Sequence, residues 1–175
     1  MDLKEYIRSI PDYPKKGILF RDITTLIKNE KAFSYCIDQI VEKSKNFNFN
    51  KIAAVESRGF VFASAVSYIL KKPFILLRKK NKLPAKTYSV DFELEYGTAT
   101  IEMHKDSIDE NDSVLVIDDL IATGGTAEAA GKLINISEGK VAGFIFVINL
   151  FDLEGSNKLI KLGYKVENLI EFPGH

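Results

Sequence analysis

Two adjacent carboxylates, Asp118 and Asp119, follow directly on four apolar residues, 114–117. After two more residues the chain enters a turn of small residues that leads into a helical pattern, namely Ala122, Thr123, Gly124, Gly125 and Thr126. The amides of such a turn and the dipole of the following helix favour an anion such as phosphate. The carboxylates suit the neighbouring hydroxyls of a sugar, or a Mg²⁺ ion. The segment therefore predicts a site for a ribose 5-phosphate unit.

The same segment has a purely structural interpretation, in which a strand ends in an acidic turn. Glycine would then supply positive φ angles, and Thr126 would cap the following helix. This interpretation leaves the two adjacent carboxylates unexplained. The segment is not a Walker A loop, because no Gly-Lys-Ser/Thr follows, and it is not a G-x-G-x-x-G motif. We therefore favour the ligand-binding interpretation.

A second anion site is predicted where a short apolar strand, 52–55, ends. The residues that follow this strand are Glu56, Ser57, Arg58 and Gly59. Their amides could hold an anion, and Arg58 adds positive charge. The alternative is an ordinary loop between a strand and a helix, with an exposed arginine. Beside a ribose 5-phosphate site, diphosphate is the natural ligand of this loop.

A basic run follows the predicted strand 74–77, and its four cations are Arg78, Lys79, Lys80 and Lys82. Runs of like charge are usually solvated surface. Here the run would lie at the same edge of the sheet as the two sites above, in a basic loop over 78–86. A doubly phosphorylated sugar carries several negative charges, which nearby cations and Mg²⁺ would balance.

Segments 87–94 and 98–103 alternate in part and predict a β-hairpin around Glu95, Tyr96 and Gly97. The stretch 79–95 is a candidate lid that would exclude water from a reactive glycosyl cation, and lid and hairpin together span 79–103. Glu95 could exchange a proton with an incoming base. Spacing alone favours a simple hairpin turn at this point.

An aromatic residue stands between apolar residues near the start of the chain, in the segment Leu19, Phe20, Arg21 and Asp22. The structural interpretation is a core phenylalanine beside an Arg–Asp surface pair. The functional one is a base platform, on which Phe20 stacks and backbone groups pair with the edge of a purine. Adenine presents an N6 donor and an N1 acceptor, whereas a 6-oxo purine presents the reverse and would leave polar groups unpaired.

Strand-like and helical patterns alternate four times, which predicts an α/β fold with a parallel sheet flanked by helices. Ligands of such sheets bind beyond the carboxyl ends of the strands, so the segments above should meet at one edge. A length of 175 residues suits a single domain, 1–175. We also expect a short helix over residues 2–10, which Pro11 would end.

The composition excludes several functional classes. Basic and acidic residues balance at 24 each, so there is no overall field for nucleic acid or a membrane surface. Cys36 is the one cysteine, so neither an internal disulfide nor a Cys zinc site can form, and the two histidines lack ligand-like spacing. The first five residues lack the features of a signal peptide, and we expect a cytoplasmic protein.

Taken together, these segments resemble the type I phosphoribosyltransferases, and in particular the members that use adenine. The segments that match lie in the same order over nearly the whole chain: D-Y-P-K-K-G-I-L-F-R-D-I-T-T-L at 12–26, E-S-R-G-F at 56–60, R-K-K-N-K-L-P at 78–84, L-E-Y-G at 94–97 and V-I-D-D-L-I-A-T-G-G-T at 116–126. The first and fourth separate the adenine-using members from their relatives, and the last is shared across the wider family.

The resemblance implies the type I phosphoribosyltransferase fold with a hairpin hood, and a homodimer that converts adenine and phosphoribosyl diphosphate (PRPP) to AMP and diphosphate. It assigns Asp118 and Asp119 to the ribose hydroxyls and 122–126 to the 5′-phosphate. Mg²⁺ would be bound mainly through PRPP rather than in a tight protein site. The diphosphate would be held by the loop 56–59 with help from Arg78, Lys79 or Lys82, some of them across the dimer interface.

The base would be held by the segment 12–26, with Leu19, Phe20 and Arg21 contacting adenine through backbone and stacking. Glu95 would be the proton partner of the purine, with Tyr96 beside it. Lys16, Asn81 and the pair Ala85-Lys86 depart from the family pattern, which puts the mobility of the lid in doubt more than the reaction.

Two other functions remain open at this point. One is a phosphoribosyltransferase for xanthine or for hypoxanthine and guanine, against which the segments at 20–23 and 94–97 argue. The other is a non-catalytic regulator that senses PRPP. Such regulators usually carry a DNA-binding extension, for which this chain has neither the length nor the positive charge.

Overall fold

The computed structural model describes residues 1–94 and 97–175. Its centre is a seven-stranded sheet in the order β5-β6-β4-β3-β7-β8-β9. The strands are β3 (Lys51–Val55), β4 (Phe74–Lys79), β5 (Thr87–Glu93), β6 (Thr98–His104), β7 (Ser113–Ile121), β8 (Lys140–Leu150) and β9 (Val166–Phe172).

The five strands β4, β3, β7, β8 and β9 are mutually parallel, and helices connect most of them. These helices are α3 (Arg58–Leu70), α4 (Gly125–Ile136) and α5 (Gly155–Lys161). The middle strands are almost continuously apolar because helices or connecting segments cover both faces of the sheet. The predicted α/β fold with a parallel sheet flanked by helices is confirmed.

The hairpin of β5 and β6 extends the sheet in the antiparallel sense, with Arg78 opposite Glu102 and Lys79 opposite Ile101. The predicted hairpin is therefore present, but the predicted basic loop begins too early. Arg78 and Lys79 belong to β4, because pairing with β6 continues that strand beyond its apolar part.

Near the start of the chain the predicted helix over 2–10 is wrong. A single 3₁₀ turn, Leu3–Tyr6, precedes β1 (Arg8–Pro11), which pairs with β2 (Leu19–Asp22) in a two-stranded ribbon. A helix as short as nine residues is marginal on its own, and pairing with a distant strand replaces it. The short helix α1 (Thr24–Ile27) and α2 (Glu30–Ser44) follow, and the Asn29 side chain caps α2 by accepting from the Ala32 amide.

No helix in the described part of the chain is long and apolar enough to cross a membrane. Cys36 lies in the core on α2, where burial raises the pKa of its thiol to about 12. It is therefore a packing residue.

Candidate active site

The two carboxylates lie within β7, which runs on to Ile121, four residues beyond the predicted end of the strand. Side chains normally alternate along a strand, but at this end of β7 both Asp118 and Asp119 line the same cavity. The Asp119 side chain is buried, whereas Asp118 is partly exposed at a cavity. The Asp118 carboxylate also accepts a hydrogen bond from the Asp119 amide at 2.8 Å.

Helix α3 packs so closely on this point that any side chain at position 59 would require the Asp118 carboxylate or the helix to shift. A Cβ atom at Gly59 would lie 2.6 Å from Oδ1 of Asp118. The predicted loop 56–59 is in fact two residues long, because Arg58 and Gly59 already form the first turn of α3. The Glu56–Ser57 peptide that leads into the helix is cis.

The small-residue turn leads directly into α4, as the sequence predicted. Gly124 has a φ of 85°, a conformation that glycine adopts readily, and the helix begins at Gly125. Thr126 therefore lies inside the first turn and is not the helix cap. The start of α5 stabilises the turn, because the Gly155 amide donates to the Ala122 carbonyl at 3.0 Å.

A cavity of about 520 Å³ joins the carboxylates, the turn and the start of α3. Its lining includes Ser57, Arg58, Lys79, Asp118, Asp119 and the whole turn 122–126. The three separate motifs therefore meet at the carboxyl ends of parallel strands, as the sequence predicted.

The predicted diphosphate-binding residues do not all face this cavity. Glu56 lines it, but its carboxylate accepts from the Lys79 amide at 2.7 Å and contacts Nε of Arg78 at 3.4 Å. Arg78 also donates to the Lys82 carbonyl. Within the described residues, Lys79 is the one cation of the basic run that lines the cavity, whereas Arg78 and Lys82 lie outside it.

Arg58 makes two contacts at the mouth of the cavity. Its Nε atom lies 3.0 Å from Oδ2 of Asp119, and its guanidinium carbon lies 5.3 Å from the centre of the Phe20 ring. Tyr13 packs edge-on against the same ring, with 5.2 Å between centroids. Arg58 thus connects the acidic end of β7 to the predicted base platform.

A second cavity of about 730 Å³ adjoins the first and shares Phe20, Arg58, Leu120, Ala122 and Thr123 with it. Its lining is largely apolar and includes the segment 15–21 together with Leu94, Leu150 and Leu153. An apolar cavity beside a phosphate site suits a flat heterocycle.

Tyr13 and Leu120, which line these cavities, lie within the matched segments 12–26 and 116–126 but were assigned no role of their own. Sequence reasoning missed four further lining residues, namely Leu150, Leu153, Gly174 and His175. The position of Leu150 at the carboxyl end of β8 could have indicated it. The others carry no motif, because their presence depends on how distant segments pack.

Burial decides the ionisation of the two acids. It raises the pKa of Asp118 well above its usual value, and the neighbouring Asp119 carboxylate raises it further. Burial also raises the pKa of Asp119, although the positive charge of Arg58 offsets part of that effect. A hydroxyl-rich or cationic ligand would relieve the unfavourable burial of these charges.

Glu95 and Tyr96 lie outside the described residues. The flanking strand residue Glu93 and its neighbour Leu94 line the second cavity, and the Glu93 carbonyl lies 3.3 Å from where a Cβ of Gly125 would stand. Asn81, one of the departures from the family pattern, has a φ of 66°, which asparagine tolerates better than most residues.

Paired carboxylates, a small-residue turn at the start of a helix and an adjoining apolar cavity, all at the carboxyl ends of a parallel sheet, are the arrangement expected of a phosphoribosyltransferase. The family model described as the phosphoribosyl transferase domain matches residues 23–171, and the chain belongs to this family.

The relatives are more specific. An adenine phosphoribosyltransferase of Pelagibacter ubique (strain HTCC1062) is 77% identical over 175 residues, which are the whole of both chains. A solved adenine phosphoribosyltransferase of Thermoanaerobacter pseudethanolicus is 46% identical, with a TM-score of 0.93 over 97% of this chain and 98% of its own. Another, from Saccharomyces cerevisiae, was solved with adenine and an imino-altritol bisphosphate. It is 34% identical, with a TM-score of 0.88 over 96% of each chain. The predicted resemblance and the type I phosphoribosyltransferase fold are confirmed.

Proposed function

We propose that this chain transfers the ribose 5-phosphate unit of PRPP to adenine, forming AMP and diphosphate in purine salvage. The observation that carries the proposal is the pair of adjoining cavities, one polar and one apolar, which share Phe20 and Arg58. A sugar phosphate in the first and a base in the second would meet at this shared wall. The names of the full-length relatives support the same reaction.

PRPP would lie in the polar cavity. Its 5′-phosphate would accept from the amides of the turn 122–126 at the start of α4. The ribose hydroxyls would donate to Asp118 and Asp119, and burial raises the pKa of both carboxyls. Lys79, Ser57 and Arg58 at the start of α3 line this cavity and would face the diphosphate.

Adenine would lie in the apolar cavity against Phe20, with the backbone of Leu19 and Arg21 available to its edge. Backbone groups are fixed in direction, so they distinguish adenine from a 6-oxo purine by leaving unmatched donors and acceptors. The apolar side chains Leu120, Leu150 and Leu153 would cover the rest of the base.

In the reaction, N9 of adenine forms a bond to C1′ of the ribose, and the bond from C1′ to the diphosphate oxygen breaks. The diphosphate leaves with the bonding electrons, and positive charge develops on the ribose, which the carboxylates Asp118 and Asp119 stabilise. The base also loses a proton, for which Glu95 is the proposed acceptor and Tyr96 its neighbour. The two cavities hold the reactants side by side, which reduces the entropic cost of the reaction.

Mg²⁺ is the proposed cofactor. The oxygen donors at the end of β7 are of the hard type that Mg²⁺ prefers, and Asp118 is open to the cavity. No group of three metal-ligating side chains occurs among residues 1–94 and 97–175, so we propose that PRPP itself supplies most of the ligands. When bound, the ion would neutralise charge on the leaving diphosphate.

We also propose a homodimer in the cytoplasm. Three large apolar side chains on α3 and β4, Tyr68, Ile69 and Leu76, are exposed in the single chain, and a second copy could cover them. Some lid cations, Arg78 or Lys82 among them, could then act on the partner's site. Sedimentation of the purified protein tests the dimer, and a single monomeric species at micromolar concentration would contradict it. Fractionation of the source cells, with the protein followed by antibody, tests the location.

Product formation from PRPP and Mg²⁺ with each purine in turn tests the function. We expect AMP from adenine, and much slower conversion of hypoxanthine, guanine and xanthine. Turnover of a 6-oxo purine without turnover of adenine would overturn the assignment. Binding of PRPP without any turnover would favour the regulator.

A further inference from the structure

We propose that the side chain of Arg21 and the segment 172–175 form a latch that positions the adenine-binding strand. The latch connects β2 to the facing wall of the apolar cavity, and it sets the affinity for adenine by fixing the position of the strand. This inference rests on the proposed function, since it names the device that holds the base platform of the same site.

The strand β2 needs such a device because of where it lies. It belongs to the two-stranded ribbon β1–β2, which is separate from the seven-stranded sheet. A two-stranded ribbon by itself is marginally stable in water. Precise placement of Phe20 against the rigid end of β7 therefore requires contacts between the ribbon and the rest of the chain.

Side chains alternate along β2, so that one residue faces the cavities and the next contacts the rest of the chain. Phe20 points to the cavities, where it meets Arg58 and Tyr13. The guanidinium of Arg21 instead contacts the last residue of β9 and the residue that follows it. Its carbon lies 4.4 Å from the centre of the Phe172 ring, and Nη2 donates to the Pro173 carbonyl at 2.8 Å.

Arg21 is buried, with only 6% of the residue exposed. Its Nη1 atom donates to the Ser9 hydroxyl on β1 at 2.5 Å, and in the described chain Nε has no hydrogen-bond partner. Burial lowers the pKa of Arg21, and the nearby carboxylate of Asp152 acts in the opposite direction. A buried cation with few partners depends strongly on each one that it has.

The other half of the latch is fixed in turn. The Gly174 amide donates to Oδ1 of Asp152 at 2.6 Å, which ties the segment to the turn after β8. A Cβ atom at Gly174 would lie 2.7 Å from Cγ of Leu153 and 2.9 Å from the same Asp152 oxygen. Leu153, Gly174 and His175 line the apolar cavity opposite β2. The latch therefore joins the two walls of the proposed adenine site.

Steady-state kinetics of two substitutions, one on each side of the latch, test the proposal in the full chain. Arg21→Lys keeps the charge but loses the paired donors of the guanidinium. Gly174→Ala adds a Cβ atom that forces the segment 172–175 and the side chains of Leu153 and Asp152 apart, while Arg21 stays intact. For each we expect KM for adenine to rise about tenfold, the value of one charged hydrogen bond, with kcat and KM for PRPP within about twofold.

Ser9→Ala is the matched control, because it removes a partner of Arg21 that lies inside the ribbon and leaves the contact to Pro173. We expect KM for adenine to change by less than about twofold in this variant. The double variant Arg21→Lys/Gly174→Ala should be little worse than either single one, since both break the same connection. Thermal melts of all variants exclude global unfolding as the cause.

Three results would overturn the latch: an unchanged KM for adenine in Arg21→Lys, a parallel rise of KM for PRPP, or additive effects in the double variant. A failure of the proposed function looks different, because the unmodified chain would then not convert adenine. If another purine were the substrate, KM for that purine would be compared between the unmodified chain and the Arg21→Lys and Gly174→Ala variants. A rise would support the role of the latch in positioning β2, and an unchanged KM would overturn it.

Discussion

Arg58 and Asp119 form an ion pair across the rim of the active site, with 3.0 Å between Nε and Oδ2. Because the same guanidinium lies over the Phe20 ring, one side chain contacts both the proposed sugar site and the proposed base site. From the sequence, Arg58 was predicted to bind the diphosphate and to act in catalysis beside Glu95 and Tyr96. In the structure it also holds together the three segments on which the site is built.

Replacing Arg58 by lysine should therefore impair more than diphosphate binding. Lysine keeps the charge but cannot stack flat on an aromatic ring. We expect Arg58→Lys to raise KM for both PRPP and adenine, and to lower kcat/KM about tenfold or more. Arg8→Lys is the control, since Arg8 pairs with Asp22 on the ribbon, outside both cavities. A change confined to PRPP would show that the contact with Phe20 has no functional role.

Gly59 should tolerate no side chain. The Cβ of Gly59→Ala would lie 2.6 Å from Oδ1 of Asp118, so the carboxylate or the start of α3 must move. We expect kcat/KM for PRPP to fall about a hundredfold, with the thermal midpoint lowered by only a few degrees. Ser64→Ala, an exposed change on the same helix, serves as the control. Full activity of Gly59→Ala would mean that the position of Asp118 is not critical.

Asp118→Asn should lower the activity of the enzyme but raise its stability at high pH. The loss of the negative charge and of one of the two acceptor oxygens should reduce kcat/KM for PRPP about a hundredfold. Burial and the neighbouring Asp119 raise the pKa of Asp118 in the folded chain, so its ionisation opposes folding. Below its unfolded pKa the acid is neutral in both states, and the variant should match the unmodified chain. As pH rises from there to the folded pKa, the unmodified chain loses stability that Asp118→Asn retains.

Urea unfolding of both chains at pH 4 and at pH 8 measures this difference. We expect the variant to be the more stable one at pH 8, by a margin that shrinks toward pH 4. An Asp118→Asn chain that is less stable at pH 8 would show that the carboxylate is favourably paired.

Lys79 should be the member of the basic run that affects PRPP binding most directly within one chain. It lines the polar cavity, whereas the exposed Lys80 does not. We expect Lys79→Ala to raise KM for PRPP about tenfold and Lys80→Ala to change it by less than about twofold. The comparison is best made at low and high salt, because added salt should reduce the effect. Equal effects of the two substitutions would indicate a diffuse field and contradict a specific contact.

The proposed role of Glu95 in proton transfer is tested by Glu95→Gln, which keeps the shape and removes the charge. We expect kcat to fall about a hundredfold or more, with KM for adenine nearly unchanged. The pH profile of kcat should also lose the limb that reports the carboxylate. Unchanged turnover would remove Glu95 from the mechanism, and the control Glu93→Gln shows whether any acid of the hairpin suffices.

Much of the fold, together with the part of the candidate site around β7, follows from patterns within short stretches of sequence. The strand 114–117, its two acids and the small-residue turn are adjacent in sequence, so their chemistry can be predicted without a structure. The rule that ligands bind beyond the carboxyl ends of parallel strands brought the segments after β3, β4 and β7 to one place, and the cavity lining bears this out.

What the sequence did not predict depends on pairing or on side-chain direction. The ribbon β1–β2 was not foreseen, because the partners are separated by a loop with no hairpin signature. Arg78 was expected at the diphosphate, of this chain or of a partner, and in this chain its guanidinium contacts the Glu56 carboxylate and donates to the Lys82 carbonyl. No periodicity indicates which way a charged side chain at the end of a strand will turn.

The sequence by itself determined which groups are present and which chemistry they suit: two acids, an anion-binding turn, a basic run and an aromatic platform. Only the tertiary structure decided which of them meet. Gly59 fits under Asp118, and Arg21 reaches the carbonyl of Pro173, a residue 152 positions away in the chain. The physical reason is that patterns in sequence report interactions between near neighbours. Contacts between distant segments arise from the packing of the whole sheet and its helices.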